Sequence, residues 1–205
     1  FINTSSMQTL KNPLGRNIYF GLREHAMASI LNGMALNGLK VFGSTKLVYA
    51  DYLKPALRMS AIMNLPVTYI FTHDTILNGE EGPVTQPIEQ LTMLRTVPNL
   101  ITYRPGDIIE LMGVWENILK TNKPSAIVIT KEITPKLPGS NANLISKGAY
   151  ILKKEKNKLD GILISTGSEL VYTLQIAYDL EKSGMDLRVV SVPSMELFLS
   201  EGKNY

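Results

Sequence analysis

An α/β architecture, a mostly parallel sheet with helices on both faces, is predicted by three observations. Short apolar runs such as residues 67–71 and 126–130 alternate with longer stretches of helical periodicity. The short runs are rich in β-branched and aromatic residues with little polar alternation, as in strands covered on both sides. Among 205 residues, 44% are hydrophobic and 19% charged, which supplies at least one large core and excludes a disordered chain.

The elements follow in order. From Arg23, apolar side chains at Met27, Ile30, Leu31, Met34 and Ala35 recur at helical spacing, and Gly38 supplies a stop. Residues 40–43 form a short extended run. A second helix is expected over 45–63, with Tyr49, Tyr52, Leu53, Ala56 and Leu57 along one side and a bend or restart at Pro55. Pro66 opens a strand at 67–71 that ends at Thr72-His73-Asp74. The turn-rich segment 78–83 precedes a helix over 87–95, with Pro87 in its first turn. A strand at 100–103, a helix over 107–120 with Asp107 as N-cap, and a strand at 126–130 complete the βαβα alternation. Ligand sites in such sheets gather in loops at the carboxyl ends of strands, where His73 and residues 79–82 fall.

Residues 131–146, with Pro135, Pro138, Gly139 and Asn141, lack periodicity and read as a linker. The first domain is accordingly assigned to residues 1–133, the linker to 134–146 and a second α/β domain to 147–205. That second unit has extended runs at 149–152, 161–165 and 187–192 around a helix over 168–182. With only about 60 residues it is expected to be truncated.

Composition narrows the function. The net charge of +3, with no basic and aromatic interleaving, argues against nucleic acid and membrane partners. The absence of cysteine excludes disulfides, thiolate catalysis and Cys-ligated metal. The most apolar stretch, 59–72, is interrupted by Pro66 and is shorter than the roughly 18 residues that would indicate a membrane span. Residues 1–6 have neither an initiator Met nor a signal pattern, so the chain is read as cut from a longer, cytoplasmic protein. The sequence contains no G-x-x-x-x-G-K-[ST], G-x-G-x-x-G, G-x-S-x-G or H-E-x-x-H signature.

Polar residues instead group at helix starts and strand ends. Phe20-Gly21-Leu22-Arg23-Glu24-His25-Ala26-Met27 is followed by Gly33-Met34-Ala35, Phe42-Gly43-Ser44-Thr45 and Asp51-Tyr52-Leu53-Lys54-Pro55. Thr72-His73-Asp74, Gly79-Glu80-Glu81-Gly82-Pro83, Pro98-Asn99-Leu100 and Arg104-Pro105-Gly106-Asp107 come next, then Thr166-Gly167-Ser168-Glu169 and Val190-Ser191-Val192-Pro193-Ser194. In this order and at these spacings the set resembles the transketolases, over nearly everything from Asn17 to Ser194.

The resemblance implies the pyrimidine-binding domain of a thiamine diphosphate enzyme and the start of a C-terminal domain. The implied reaction moves a two-carbon ketol unit from a ketose phosphate to an aldose phosphate in the pentose phosphate pathway. Glu24 matches the family's cofactor-activating glutamate, whose carboxyl hydrogen-bonds a ring nitrogen of the aminopyrimidine. That bond is best made by a protonated, desolvated carboxyl. Tyr49 and Tyr52 fall where aromatic residues pack on the aminopyrimidine. His73 matches a histidine that contacts the ketose and handles its protons.

Three further residues are implied in substrate binding. Glu81 stands for an Asp that reads a substrate hydroxyl, Thr85 could donate a hydrogen bond, and Lys131 replaces an Arg that pairs with the sugar phosphate. Lys46 departs from an aromatic residue of the family, and Val84-Thr85 from a Thr-His pair. Thiamine diphosphate is the expected cofactor. Mg2+ or another divalent cation would be held by an N-terminal domain that this chain lacks, so no metal ligand is assigned here. A second subunit, in a homodimer, or the missing domain would complete the site.

Blander roles fit the same residues. Glu24 could simply be a first-turn acid favoured by the helix dipole, the tyrosines core residues, and Lys131 a solvated lysine. Two other functions stay open: another enzyme of the superfamily, such as a deoxyxylulose-phosphate synthase, or a transketolase-like domain without turnover.

Overall fold

The computed structural model describes residues 7–76 and 82–202. The first layer begins with α1 (Glu24–Leu36), which turns Met27, Ala28, Leu31 and Ala35 inward. Strand β1 (Val41–Lys46) leads through a 3₁₀ turn, Leu47–Tyr49, into α2 (Ala50–Ile62). β2 (Val67–Thr72), α3 (Gln90–Arg95), β3 (Ile101–Tyr103), α4 (Ile108–Thr121) and β4 (Ser125–Val128) follow. The four strands form one sheet in the order β1-β2-β4-β3, and every pair is parallel.

Alternation along the buried strands divides the core between the two faces. Val67, Tyr69 and Phe71 of β2, with Ala126 and Val128 of β4, pack with Met27, Leu31, Leu53 and Leu57 of α1 and α2. Ile70 and Ile127 point the other way and pack with Val114 and Ile118 of α4. Helices therefore cover both faces, as the βαβα pattern predicts.

A buried polar knot stitches the first face. Asn32 Nδ2 donates to the Ala56 carbonyl at 2.8 Å, Ser60 Oγ donates to Asn32 Oδ1 at 2.6 Å, and the Tyr69 hydroxyl lies 2.6 Å from Ser60. Burial pushes the Tyr69 phenol up to about 12, opposed by its bond with Ser60.

Several boundaries differ from the sequence expectation. The helix expected from residue 45 starts at Ala50, because Thr45 and Lys46 stay in β1, paired with Phe71 and Thr72 of β2. α2 runs on through Pro55, which has no N–H to donate to the carbonyl of Asp51. α3 starts at Gln90 rather than Pro87. Gln90 instead uses its side chain, accepting from the Ile88 N–H at 3.0 Å and donating to Asp51 at 2.8 Å.

The segment read as a linker is bonded into the structure. Asp107 caps α4 through the Glu110 N–H at 2.9 Å, and its second oxygen accepts from the Leu137 N–H at 2.8 Å and Ser140 Oγ at 2.6 Å. A 3₁₀ helix, Ala142–Lys147, then buries Ile145 beside α4.

The second layer contains β5 (Tyr150–Lys153), β6 (Gly161–Ser165), α5 (Glu169–Lys182), β7 (Leu187–Ser191) and α6 (Met195–Ser200). Its sheet has the order β5-β7-β6, with β5 antiparallel to β7 and β6 parallel to it. α6, which periodicity misses, is capped by Ser194, whose hydroxyl accepts from the Leu197 N–H at 3.5 Å. Leu152, Leu170, Leu174 and Val189 of this layer share one cluster with Tyr103, Val114 and Ile127 of the first.

Candidate active site

Parallel pairing sets which chain ends meet. α1 precedes β1 and α2 follows it, so both helices begin at the carboxyl edge of the sheet. Glu24 is the first residue of α1, and its Oε1 accepts a hydrogen bond from Thr45 Oγ1, near the end of β1, at 3.3 Å. Lys46 lies in register with Thr72, which brings His73 beside the same edge.

His73 is half-buried and has φ = 61°, in the left-handed region. A non-glycine residue there costs roughly 1–3 kcal/mol, and such positions concentrate where surrounding structure imposes a particular side-chain direction. Its Nδ1 lies 2.8 Å from Thr72 Oγ1. That contact fixes the ring against β2.

Tyr49 and Tyr52 stand at the start of α2 with ring centroids 5.9 Å apart and a tilt of 42°. They line an open cleft of about 370 Å³ together with Pro83, Val84 and Ile88. Tyr49 is half-buried, whereas Tyr52 is 63% exposed. Thr85 ends the 3₁₀ turn Pro83–Thr85 beside this cleft, and its hydroxyl donates to the Gly82 carbonyl at 3.1 Å.

Lys131 follows β4 at the same edge and is exposed. Glu81 lies outside the described residues. The edge thus gathers Glu24, Tyr49, Tyr52, His73 and Lys131, while Glu24 and His73 lie outside the cleft lined by the two tyrosines.

A second charged group adjoins His73. Arg104, just beyond β3, donates through Nε to Asp74 Oδ2 at 2.9 Å and through Nη1 to the Thr166 carbonyl at 2.9 Å. It also pairs with Glu169 of α5 at 2.6 Å. Burial pushes the Asp74 carboxyl above its ordinary value, and the charge of Arg104 opposes that rise. For Arg104, burial acts to lower the value, but the bonds with Glu169 and the charge of Asp74 hold it above its usual range. Sequence reasoning assigns these residues no role, although Arg104-Pro105-Gly106-Asp107 and Thr166-Gly167-Ser168-Glu169 are among the segments that carry the resemblance.

A carboxyl group with a hydroxyl partner and two aromatic faces at a sheet edge suit a flat, nitrogen-bearing ring. Among the described residues no group of three or more His, Asp or Glu forms a metal-binding cluster. No helix among them is long and apolar enough to cross a membrane.

The fold is a parallel α/β domain with a second α/β unit docked on it. The family model described as "Transketolase, pyrimidine binding domain" matches residues 3–136, and "Transketolase-like TK C-terminal domain" matches residues 148–205. This chain belongs to the transketolase family. It is 44% identical over 207 residues to a probable transketolase of Streptococcus pneumoniae, covering 100% of this chain and 32% of that protein. The transketolase of Bacillus subtilis is 44% identical over 197 residues, covering 93% and 30% respectively. A crystal structure of Pichia stipitis transketolase in complex with sedoheptulose-7-phosphate superposes with a TM-score of 0.93 at 34% identity, over 99% of this chain and 31% of that one. The chain therefore spans about a third of the length of the relatives it matches.

Proposed function

We propose that this chain is the pyrimidine-binding part of a transketolase, residues 1–133, joined by residues 134–146 to the beginning of its C-terminal domain, residues 147–205. The observation that carries the reading is the meeting of Glu24 and Thr45 at the sheet edge that also holds His73 and the two tyrosines. Thiamine diphosphate, when bound, supplies the nucleophilic carbon that takes up the ketol unit. Its diphosphate and the divalent cation, Mg2+ or another, are assigned to a separate diphosphate-binding domain, carried by a second subunit of a homodimer or by the missing domain.

Within this chain Glu24 holds a proton at the aminopyrimidine nitrogen, and Thr45 orients the carboxyl. Tyr49 packs on the ring face, with Tyr52 as the outer wall. His73 moves protons to and from substrate hydroxyls. Glu81 and Thr85 read hydroxyls of the sugar phosphate, and Lys131 pairs with its phosphate as a point charge. On this reading the ketol transfer belongs to the pentose phosphate pathway, in the cytoplasm.

The test is ketol transfer by this chain assembled with a diphosphate-binding domain. Glu24→Gln should lower kcat on the order of 10²–10⁴-fold, the range of general acid–base contributions, with the fold unchanged. Transfer that survives the substitution would overturn the assignment of Glu24. No transfer by the intact assembly would favour a domain without turnover, the reading to which Lys46, Val84-Thr85 and Lys131 point.

A further inference from the structure

The backbone of His73 is held in an unfavourable conformation, and the residue after it is gripped by the second α/β unit through a single side chain. Asp74 has a side chain 1% exposed, and its Oδ2 is bonded to Arg104. Its Oδ1 is buried with no hydrogen-bond partner among the described residues. Among the described residues, the side chain of Asp74 is therefore held through Arg104.

Arg104 is itself fixed mainly by residues far along the chain. Its N–H donates to the Pro193 carbonyl at 2.8 Å, and its own carbonyl accepts from the Gly167 N–H at 3.0 Å and Thr166 Oγ1 at 3.3 Å. Its guanidinium reaches the Thr166 carbonyl and Glu169. The side chain lies flat over Gly167, where a Cβ would come within 2.6 Å of Arg104 Cζ. Gly167 has φ = 66°, so a side chain there is excluded by conformation as well as by space.

Two anchors thus bracket His73. On one side Thr72 belongs to β2 and contacts the imidazole; on the other, Asp74 is tied through Arg104 to Thr166 and Glu169. We infer that Arg104 is a positioning residue: by pairing with Asp74 it lets the second α/β unit set the backbone and ring direction of His73. The inference deepens the function proposed above and rests on its reading of His73.

The chain has two histidines, so in a His25→Gln background the imidazole signals of His73 are read singly by NMR. Arg104→Met and Asp74→Asn should move those signals, and Glu169→Gln should move them the same way by less. Lys120→Met, on the exposed side of α4, should leave them in place. In the assembly with a diphosphate-binding domain, Arg104→Met should lower kcat on the order of tenfold to a hundredfold, the scale of a displacement near 1 Å, with KM little changed. Arg104→Lys, which keeps a charge beside Asp74, should recover part of the loss. Once His73→Ala is present, Arg104→Met should add little further loss.

Signals of His73 that stay in place in Asp74→Asn and Glu169→Gln would overturn the inference, as would losses from Arg104→Met and His73→Ala that simply multiply. If Arg104→Met does not fold, those two milder variants decide the matter. Should His73→Ala leave ketol transfer intact while the NMR shifts are observed, the reading of His73 in catalysis fails and the positioning contact stands.

Discussion

Ser191 Oγ donates to Glu110 Oε1 at 2.6 Å across the junction of the two sheets, between residues 81 positions apart. The Glu110 carboxyl is fully buried and also accepts from the Tyr150 hydroxyl and the Gly106 N–H, each at 2.7 Å. Burial pushes its pKa above the ordinary 4.5, and these three bonds oppose the rise. An acid whose folded value is raised stabilises the fold fully at pH below its unfolded value and loses that contribution as pH rises through the folded value. Stability from this group should therefore fall as pH rises above about 4.5. Urea denaturation at a series of pH values should show a flatter profile in Glu110→Gln than in the parent chain.

The Asn32–Ser60–Tyr69 knot is wholly enclosed, so deleting one member strands the others. Ser60→Ala should cost about 1–3 kcal/mol, the penalty for unpaired buried polar groups. In a chain of this size each kcal/mol corresponds to roughly 2–4 °C in Tm, readable by calorimetry. An unchanged Tm would mean that the remaining pair, with Tyr69 Oη 3.3 Å from Asn32 Oδ1, closes the gap.

Gly148 has φ = 77°, and a Cβ there would lie 2.1 Å from the Phe198 backbone nitrogen. Gly148→Ala should destabilise by at least roughly 1–2 kcal/mol from conformation alone, with the clash added. The urea midpoint should fall, and α6 should lose its dock against the end of the 3₁₀ helix.

The two tyrosines of the cleft differ in exposure, and substitution should rank them. Tyr49→Ala should weaken thiamine diphosphate binding by the assembled enzyme more than Tyr52→Ala, because the half-buried ring loses more contact area. Equal losses measured by titration would put both rings on the cofactor.

Local periodicity and the residues that carry the family resemblance make much of this molecule legible. The apolar spacing from Met27 to Ala35 places α1, and the β-branched run at 67–71 places the core strand that delivers His73. Capping chemistry predicts Asp107 correctly as the start of α4. Readings fail where distant pairing decides the outcome. Thr45 and Lys46 are extended because β2 lies alongside, paired with Phe71 and Thr72. The ties of Arg104 to Asp74 and Glu169 span 30 and 65 positions, and no local spacing announces them.

The cluster that joins Tyr103, Val114 and Ile127 with Leu170, Leu174 and Val189 ignores the division into two sheets. Loss of the second unit would expose Tyr103, Val114 and their neighbours in this shared cluster to water, so the two should melt as one cooperative body. Native-state hydrogen exchange should then find the amides of Arg104 and Gly167, which bond across the junction, opening with the same free energy as the strand amides of β2. Cutting the polypeptide within residues 131–136 would sever the covalent link and leave that body whole.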